Sequence, residues 1–205
     1  MTLYAASSKS MNKNAPTDHP ILDVMVRRWS PYAFDPRPVE EAKLHRIFEA
    51  ARWAASSFNE QPWRFLTAAA TDGPAFEKLA SVLVDANKWC ESAPLLAMSI
   101  AHTKFTHSGS PNRVALHDVG QAAAHLALQA VAEGLVVHQM AGFHVARARE
   151  IYGIPPDFDP VAMIAIGYEG DHARIPEDLQ QREARPRTRK PQSEFVFNGN
   201  WPAPR

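Results

Sequence analysis

Residues 114–133 form the segment that most constrains how this chain can fold, because they are apolar on nearly every side of a helix. Alanines recur throughout the segment among larger apolar side chains, and Gly134 stands where such a helix would end. A helix of this kind must be buried all round, and in a chain of 205 residues a second subunit could supply part of the cover. We expect it inside one domain spanning residues 20–205, after a disordered lead-in at residues 1–19.

Apolar periodicity predicts alternating helices and strands around this segment. Prolines stand at three expected helix starts, Pro20, Pro38 and Pro74, and Gly153 stands at an expected helix end. The predicted helices run from residue 20 towards 28, from 38 to about 51, over 74–89 and over 145–152. The predicted strands are residues 63–70, 95–101, 135–140, 161–168 and 194–197, and the second of these is apolar enough to lie in the middle of a sheet.

Charge and cysteine content narrow the partners that this chain could bind. The 22 Lys and Arg residues balance the 22 Asp and Glu residues, so no overall field attracts nucleic acid or an anionic membrane, and a small-molecule partner is expected. The single cysteine, Cys90, cannot form an intramolecular disulfide, which favours a reducing compartment, with the cytoplasm as the expected location. No apolar run approaches the roughly 20 residues that span a membrane.

The loop within residues 54–65 carries the clearest functional signal. Its hydroxyl and amide side chains can donate or accept hydrogen bonds, and Pro62 fixes the direction in which the chain leaves. A flat, hydrogen-bonding ligand suits such a loop, although a polar turn between a helix and a strand has the same composition. The segment resembles the SSxNxQPW signature of the FMN-dependent nitroreductase family.

The segment at residues 27–34 resembles a second motif of this family, Arg-x-Ser-x-Lys/Arg-x-Phe. Arg28, Ser30 and Phe34 fall on the pattern, which implies a clamp for the FMN phosphate and ribityl chain. Tyr32 stands where the family usually places Lys or Arg, so the cation expected near the pyrimidine edge of the flavin is missing. Without the resemblance, the segment is an ordinary solvated helix end.

Two further segments are similar to the same family. Residues 134–143 resemble its GLxxxxxxGF stretch, with Ala141 where many members carry Glu, and residues 154–168 resemble its GIPxxxxPVAxIxxGY strand. Without the resemblance, both are ordinary strands with adjoining turns. Asn87 or Lys88 is the candidate replacement for the cation missing at residue 32.

The resemblance implies an α+β fold in which helices flank a central, mostly antiparallel sheet, and an intertwined homodimer with FMN at the subunit interface. The basic arm at residues 185–191, otherwise a solvated tail, would run to the FMN phosphate and to the partner subunit. Phosphate and ribityl contacts would come from one subunit, and the loop residues from the other. The implied cofactor-binding residues are Arg27, Arg28, Trp29, Ser30, Tyr32, Ala55, Ser56, Ser57, Asn59, Gln61, Asn87, Met140, Ala141, Gly142, Arg187 and Arg189.

The implied activity is that of an oxidoreductase with FMN as cofactor and NAD(P)H as reductant. In a ping-pong reaction, NAD(P)H would reduce FMN and leave before a nitroaromatic, quinone or similar acceptor binds. The flavin carries the chemistry, so no catalytic side chain is predicted, and His117 and His125 lack the tight spacing of metal ligands. Two alternatives remain open: a reductase dedicated to one metabolite, such as an enone, a halogenated phenol or a peptide-derived heterocycle, and a protein that stores, delivers or senses flavin.

Overall fold

Five strands form one antiparallel sheet in the computed structural model, which describes residues 11–202 of the chain. The strands are β1 (Phe34–Asp35), β2 (Trp63–Ala69), β3 (Leu95–His102), β4 (Val136–Met140) and β5 (Phe158–Glu169). β3 lies between β2 and β5, and β5 also pairs with β4 and with the short β1. The central place predicted for the apolar strand at residues 95–101 is therefore confirmed.

Helices cover both faces of this sheet. Within the described residues they are α1 (Asp23–Arg27), α2 (Glu41–Arg52), α3 (Gly73–Ala80), α4 (Ala115–Ala132), α5 (Val145–Tyr152) and α6 (Glu177–Ala184). Because side chains alternate along a strand, Leu95 and Ala97 of β3 pack on the side of α2 and α4, whereas Leu96 and Met98 pack on the side of α3 and α5. This arrangement confirms the predicted α+β fold with helices flanking an antiparallel sheet.

The helix predicted at residues 74–89 is interrupted. α3 is followed, after a break, by a 3₁₀ helix at Asp85–Ser92. In the break, Leu83 forms a β-bridge with Phe143, and the carbonyl of Val82 accepts a hydrogen bond from the His144 amide at 2.7 Å. Helical periodicity is lost here because these backbone groups bind the segment after β4 instead of the next helical turn.

The first two helices begin three residues later than predicted, at Asp23 and Glu41 instead of at residues 20 and 38. The residues before them, Leu22 and Glu40, have extended backbones with ψ angles of 137° and 134°. The Glu40 carboxylate accepts a hydrogen bond from the Tyr168 hydroxyl of β5, which holds Glu40 outside the helix. The fixed φ of a proline suits extended backbone as well as a first helical turn, so the prolines do not mark the helix starts here.

The C-terminal end differs from the sequence predictions in two ways. Helix α6 has no counterpart among the sequence predictions, because it is mostly polar and buries only Leu179 and Glu183. The predicted strand at residues 194–197 is wrong for the single chain, in which a 3₁₀ turn at Gln192–Glu194 leads into an exposed Phe195. A strand requires a neighbouring edge, and the described part of one chain provides none for this segment.

α4 buries one face and leaves another open, so it is not buried all round within one chain. Val119, Ala122 and Leu126 belong to the core between α4 and the sheet. On the opposite side Leu116 is 56% exposed, and Ala124 is also exposed. An apolar surface therefore remains along the segment that most constrains the fold.

The N-terminal segment lies against the end of α1. Residues 1–10 of the predicted disordered lead-in lie outside the described residues, and residues 11–19 form neither helix nor strand. The amide of Ala15 donates to the carbonyl of Val26 at 2.9 Å. Among residues 11–202, no helix combines the length and the apolar character that a membrane span requires.

Candidate functional site

A cavity of about 330 Å³ brings together four of the residues implied to bind phosphate and ribityl, namely Arg28, Ser30, Arg187 and Arg189. Arg28 and Ser30 lie on the extended segment that follows α1, and the two other arginines lie on the arm that follows α6. The Arg187 guanidinium fixes the arm to the end of α1, because its Nη1 donates to the carbonyl of Val26 at 2.9 Å. Arg28 and Arg187, which are 159 positions apart in the sequence, thus line the same cavity.

Positive charge is concentrated in this arginine cavity. The pKa of Arg28 is lowered by burial and, to a smaller extent, by the charge of Arg189. Burial also lowers the pKa of Arg187, and the charges of Arg28 and Arg189 add to the effect. Within the described residues no carboxylate forms a salt bridge with any of the three, so their mutual repulsion favours binding of an anion. Forked guanidinium donors and the Ser30 hydroxyl fit the oxygens of a phosphate ester.

Glu183 supplies the single carboxylate among the residues that line the arginine cavity, and it is only 3% exposed. It accepts hydrogen bonds from the backbone amides of Tyr32 and Ala33, the second at 3.1 Å, and from Nδ1 of His172 at 2.6 Å. Its charge is thereby satisfied by donors other than the arginines, and it fixes the backbone next to Ser30. The sequence offered no signal for Glu183, because helix α6 itself was not predicted.

Three rings form a cluster beside the arginine cavity, and two of them, those of Tyr32 and His138, line it. The centre of the Tyr32 ring lies 4.8 Å from that of Trp89 and 5.0 Å from that of His138, and the Trp89 and His138 rings are 4.6 Å apart. Tyr32 therefore provides an aromatic surface at the position where the family usually places a cation. Trp29 lines the same cavity and lies under the ammonium group of Lys13, 5.7 Å from its ring centre.

Asn87 and Gly142, both implied to contact the cofactor, are bonded to each other. The Asn87 Nδ2 donates to the Gly142 carbonyl at 2.8 Å, and a Cβ added at Gly142 would lie 2.6 Å from the same nitrogen. Next to this contact, Met140 is buried and Ala141 is exposed. The other candidate replacement for the missing cation, Lys88, forms an ion pair with Asp85 at 2.7 Å.

The loop at residues 55–61 has an unusual backbone. Phe58, Asn59 and Gln61 have φ angles of 54°, 55° and 51°, in the left-handed region that non-glycine residues avoid. Hydrogen bonds hold this conformation: the Gln61 amide donates to the Ser56 hydroxyl at 3.0 Å, and the Ser57 amide donates to the buried Asp118 carboxylate at 3.1 Å. Backbone strain of this kind persists where the surroundings enforce it, and it occurs often at binding sites.

One chain presents the implied cofactor residues as separate groups. None of the residues at 55–61 lines the arginine cavity, and the loop lies instead against the first turns of α4. Arg27 also points elsewhere, because its Nε bonds to the Asp23 carboxylate at 2.6 Å on the exposed side of α1. Ala55 is exposed at the start of the loop. Within the described residues, the loop and the arginines therefore line no common cavity.

A larger surface cleft, of about 530 Å³, lies between α3, the 3₁₀ helix at Asp85–Ser92 and the start of α5. Its charged side chains have both signs, since Lys88 and Arg147 line it together with Asp85 and Glu77. None of the implied cofactor residues lines this cleft. The arginine cavity is the better candidate because all but one of its charged side chains are cationic, and its one carboxylate, Glu183, is bonded to backbone amides and to His172. Among residues 11–202 no cluster of three or more His, Cys, Asp or Glu side chains could hold a metal ion, and His117 and His125 are exposed on α4.

Comparison with known proteins identifies relatives over most of the chain. A sequence profile of the nitroreductase family matches residues 25–168. The crystal structure of an oxidoreductase containing FMN is 33% identical with a TM-score of 0.87, over 95% of this chain and 100% of that chain. An uncharacterised 15.4 kDa protein of Mycolicibacterium smegmatis is 35% identical over 132 residues, which cover 63% of this chain and 86% of that protein. A Streptomyces coelicolor protein with the provisional name NADH dehydrogenase/NAD(P)H nitroreductase is 29% identical over 157 residues, which cover 67% of this chain and 77% of that protein.

Proposed function

Because the chain belongs to the nitroreductase family, we propose that it binds FMN and uses NAD(P)H to reduce nitroaromatic, quinone or similar small-molecule acceptors. The observation that carries this proposal is the meeting of Arg28, Ser30, Arg187 and Arg189 in one cavity, where none of the three arginines forms a salt bridge with a carboxylate of the described residues. FMN ends in a phosphate dianion, which is the type of anion that such a cavity attracts. The name of the Streptomyces coelicolor relative supports NAD(P)H as the reductant.

Each group of residues has a separate task in this proposal. Arg28 and Arg189 donate charged hydrogen bonds to the phosphate, and Ser30 binds the ribityl hydroxyls. Gly142 lets backbone come close to the flavin ring, with Asn87 holding its carbonyl in place. Bound FMN supplies the hydride-transfer chemistry, so the chain needs no side chain that acts as a catalytic acid or base. Reductant and acceptor would bind in turn at this site, in a ping-pong reaction.

We further propose a homodimer in which the loop of one subunit completes the arginine cavity of the other. Within one chain the loop at residues 55–61 and the arginine cavity are separate, which supports contributions from two subunits. Apolar side chains remain open on α4 at Leu116 and on the C-terminal arm at Phe195 and Trp201. A second copy of the chain would remove these surfaces from water.

Anaerobic titration of the FMN-loaded protein with NADPH, and separately with NADH, tests the reaction class. Visible flavin absorption should bleach stoichiometrically and return on addition of a quinone or a nitroaromatic. A protein that holds no FMN would contradict the cofactor assignment. Flavin that stays bound and oxidised would instead favour storage, delivery or sensing, which the aromatic Tyr32 and the exposed Ala141 support because both lack the expected charged group.

A dedicated reductase of one metabolite is the remaining alternative. It would pass the same spectroscopic test but would discriminate among acceptors. Rates with a panel of enones, halogenated phenols, quinones and nitroaromatics, followed by product analysis, separate the two. A kcat/KM that favours one acceptor class by several orders of magnitude indicates a dedicated enzyme.

A further inference from the structure

His138 lies in the arginine cavity but is absent from the residues implied by the family motifs. It belongs to β4, and its ring packs against Tyr32 and Trp89 at centre-to-centre distances of 5.0 and 4.6 Å. The ring lines the same cavity as Arg28 and Ser30. A titratable side chain therefore stands beside Tyr32, the residue that replaces the usual cation.

One hydrogen bond fixes which nitrogen of His138 carries the proton in the neutral ring. Its Nδ1 lies 2.8 Å from the carbonyl oxygen of Pro31, and a carbonyl can only accept, so Nδ1 is the donor. Nε2 then holds a free lone pair, and among residues 11–202 no side chain or backbone group bonds to it. Burial lowers the pKa of His138, an effect that the Pro31 carbonyl and the charge of Glu183 only partly offset. Nε2 is thus the atom at which a further proton would bind.

The charges that face His138 explain when this proton would bind. They are Lys13 and Arg28 from the N-terminal segment, Arg182 and Glu183 from α6, and Arg185, Arg187 and Arg189 from the arm, with the Tyr32 hydroxyl beside them. Burial opposes protonation of Nε2 while the cavity holds no anion, and the nearby charge of Glu183 favours it. A bound ligand that gains negative charge near the ring reverses this balance and raises the affinity of Nε2 for a proton.

We propose that His138 is a positioning residue that compensates the negative charge on the pyrimidine edge of reduced FMN, in place of the cation missing at Tyr32. This inference rests on the proposed function. Hydride transfer brings two electrons and one proton to the flavin, which leaves one negative charge on the ring. The Nε2 of His138 takes a second proton from solvent, so the charge is balanced across the contact and Nε2–H becomes a hydrogen-bond donor.

Sulfite binding measures this charge compensation without turnover, because sulfite adds to oxidised flavin and leaves a negative charge on the same edge. FMN-loaded wild type, His138→Gln and His144→Gln are titrated with sulfite at pH 7 and followed by loss of flavin absorption. His138→Gln should bind sulfite roughly tenfold more weakly, the effect of about one unit of lost proton affinity. His144→Gln, an exposed residue in the other cleft, should match wild type. The double variant Tyr32→Lys/His138→Gln should regain affinity, because it supplies a permanent cation.

Proton uptake during reduction gives a second readout, which compares the wild-type protein with the His138→Gln variant. Electrochemical reduction of the FMN-loaded protein near pH 7.5 in weak buffer, through a viologen mediator that transfers electrons without protons, should consume about two protons per two electrons as read by a pH electrode, against about one for His138→Gln. Equal sulfite affinities of the wild-type protein and the His138→Gln variant, both with FMN bound, would overturn this inference and leave the proposed function intact. One proton per two electrons in wild type would have the same meaning. A wild-type protein that retains no FMN would overturn both.

Discussion

Neighbouring residues can have opposite environments, as Arg27 and Arg28 show. Arg27 pairs with Asp23 at the surface, whereas Arg28 is half-buried in the arginine cavity and pairs with no carboxylate among residues 11–202. Sequence position cannot separate the two, because both directly follow the same apolar stripe. Only the direction of each side chain decides which of them can reach a phosphate.

Arg28→Ala should weaken FMN binding by roughly ten- to a hundredfold, since a charged hydrogen bond contributes about 1.5–3 kcal/mol and each 1.4 kcal/mol is a factor of ten. Arg27→Ala serves as the matched control and should stay within about twofold of wild type, because an exposed ion pair contributes little. Fluorescence quenching of FMN on titration with apo-protein gives both dissociation constants. Equal effects of the two substitutions would remove Arg28 from the phosphate site.

Cys90 should be unreactive in the folded protein. The residue is fully buried, and burial, with a smaller effect of Glu91, raises its pKa from 9.0 to about 12. The nucleophilic thiolate is therefore suppressed at neutral pH, and the stability that this burial contributes is present below pH 9 and is lost as the pH rises towards 12.

A chromogenic disulfide reagent at pH 8 should therefore modify Cys90 very slowly in the native protein. After unfolding in guanidinium, the same reagent should modify one thiol per chain. Rapid modification of the native protein would show that Cys90 is accessible. The cytoplasmic location stays a prediction, because it depends on the cysteine count and on no observed contact.

At the scale of the element, sequence patterns predict what lies inside a helix or strand better than where it ends. β3, α4 and α5 follow their predicted spans closely, because strong periodicity runs through each of them. The break between α3 and Asp85–Ser92 depends on pairing between Leu83 and Phe143, which are 60 positions apart. Local periodicity has no access to that contact.

Two glycines have different backbone conformations, so replacing each with alanine should change the free energy of unfolding in opposite directions. Gly153 ends α5 with φ at 60°, so Gly153→Ala should destabilise the fold by about 1 kcal/mol, the cost of a left-handed residue with a Cβ. Gly120 lies inside α4 with open space around it, so Gly120→Ala should stabilise the fold by up to about 1 kcal/mol. Urea denaturation of the apo-protein gives both values. A destabilising Gly120→Ala would mean that this face of α4 is tightly covered.

At the scale of the whole molecule, the open face of α4 and the separation of the loop from the arginines have a common explanation in the proposed homodimer. α4 contains too many apolar residues for the cover that one chain provides. The strained loop at residues 55–61 is fixed against α4 through Asp118. A partner seated on this face would meet the loop as well.

Ala124→Arg, on the exposed face of α4, should therefore shift the protein to monomers and reduce its FMN content. Ala146→Arg, on the exposed face of α5, is the matched control and should leave both unchanged. Sedimentation velocity and flavin absorption per chain measure the two effects. Wild-type monomers that retain stoichiometric FMN would exclude a shared site, and an unaffected dimer of Ala124→Arg would move the interface away from α4.

The sequence by itself determined the strands β2 to β5 and the apolar character of α4, because periodicity reports local conformation, and its short motifs predicted which arginines would clamp a phosphate. Tertiary structure alone decided that Glu183 would bind the backbone of Tyr32, 151 positions away, and that His138 would bind Pro31, 107 positions away. It also decided that the loop and the arginines would lie apart in one chain. These outcomes follow from long-range packing and hydrogen bonding, which bring together residues whose local patterns carry no trace of each other.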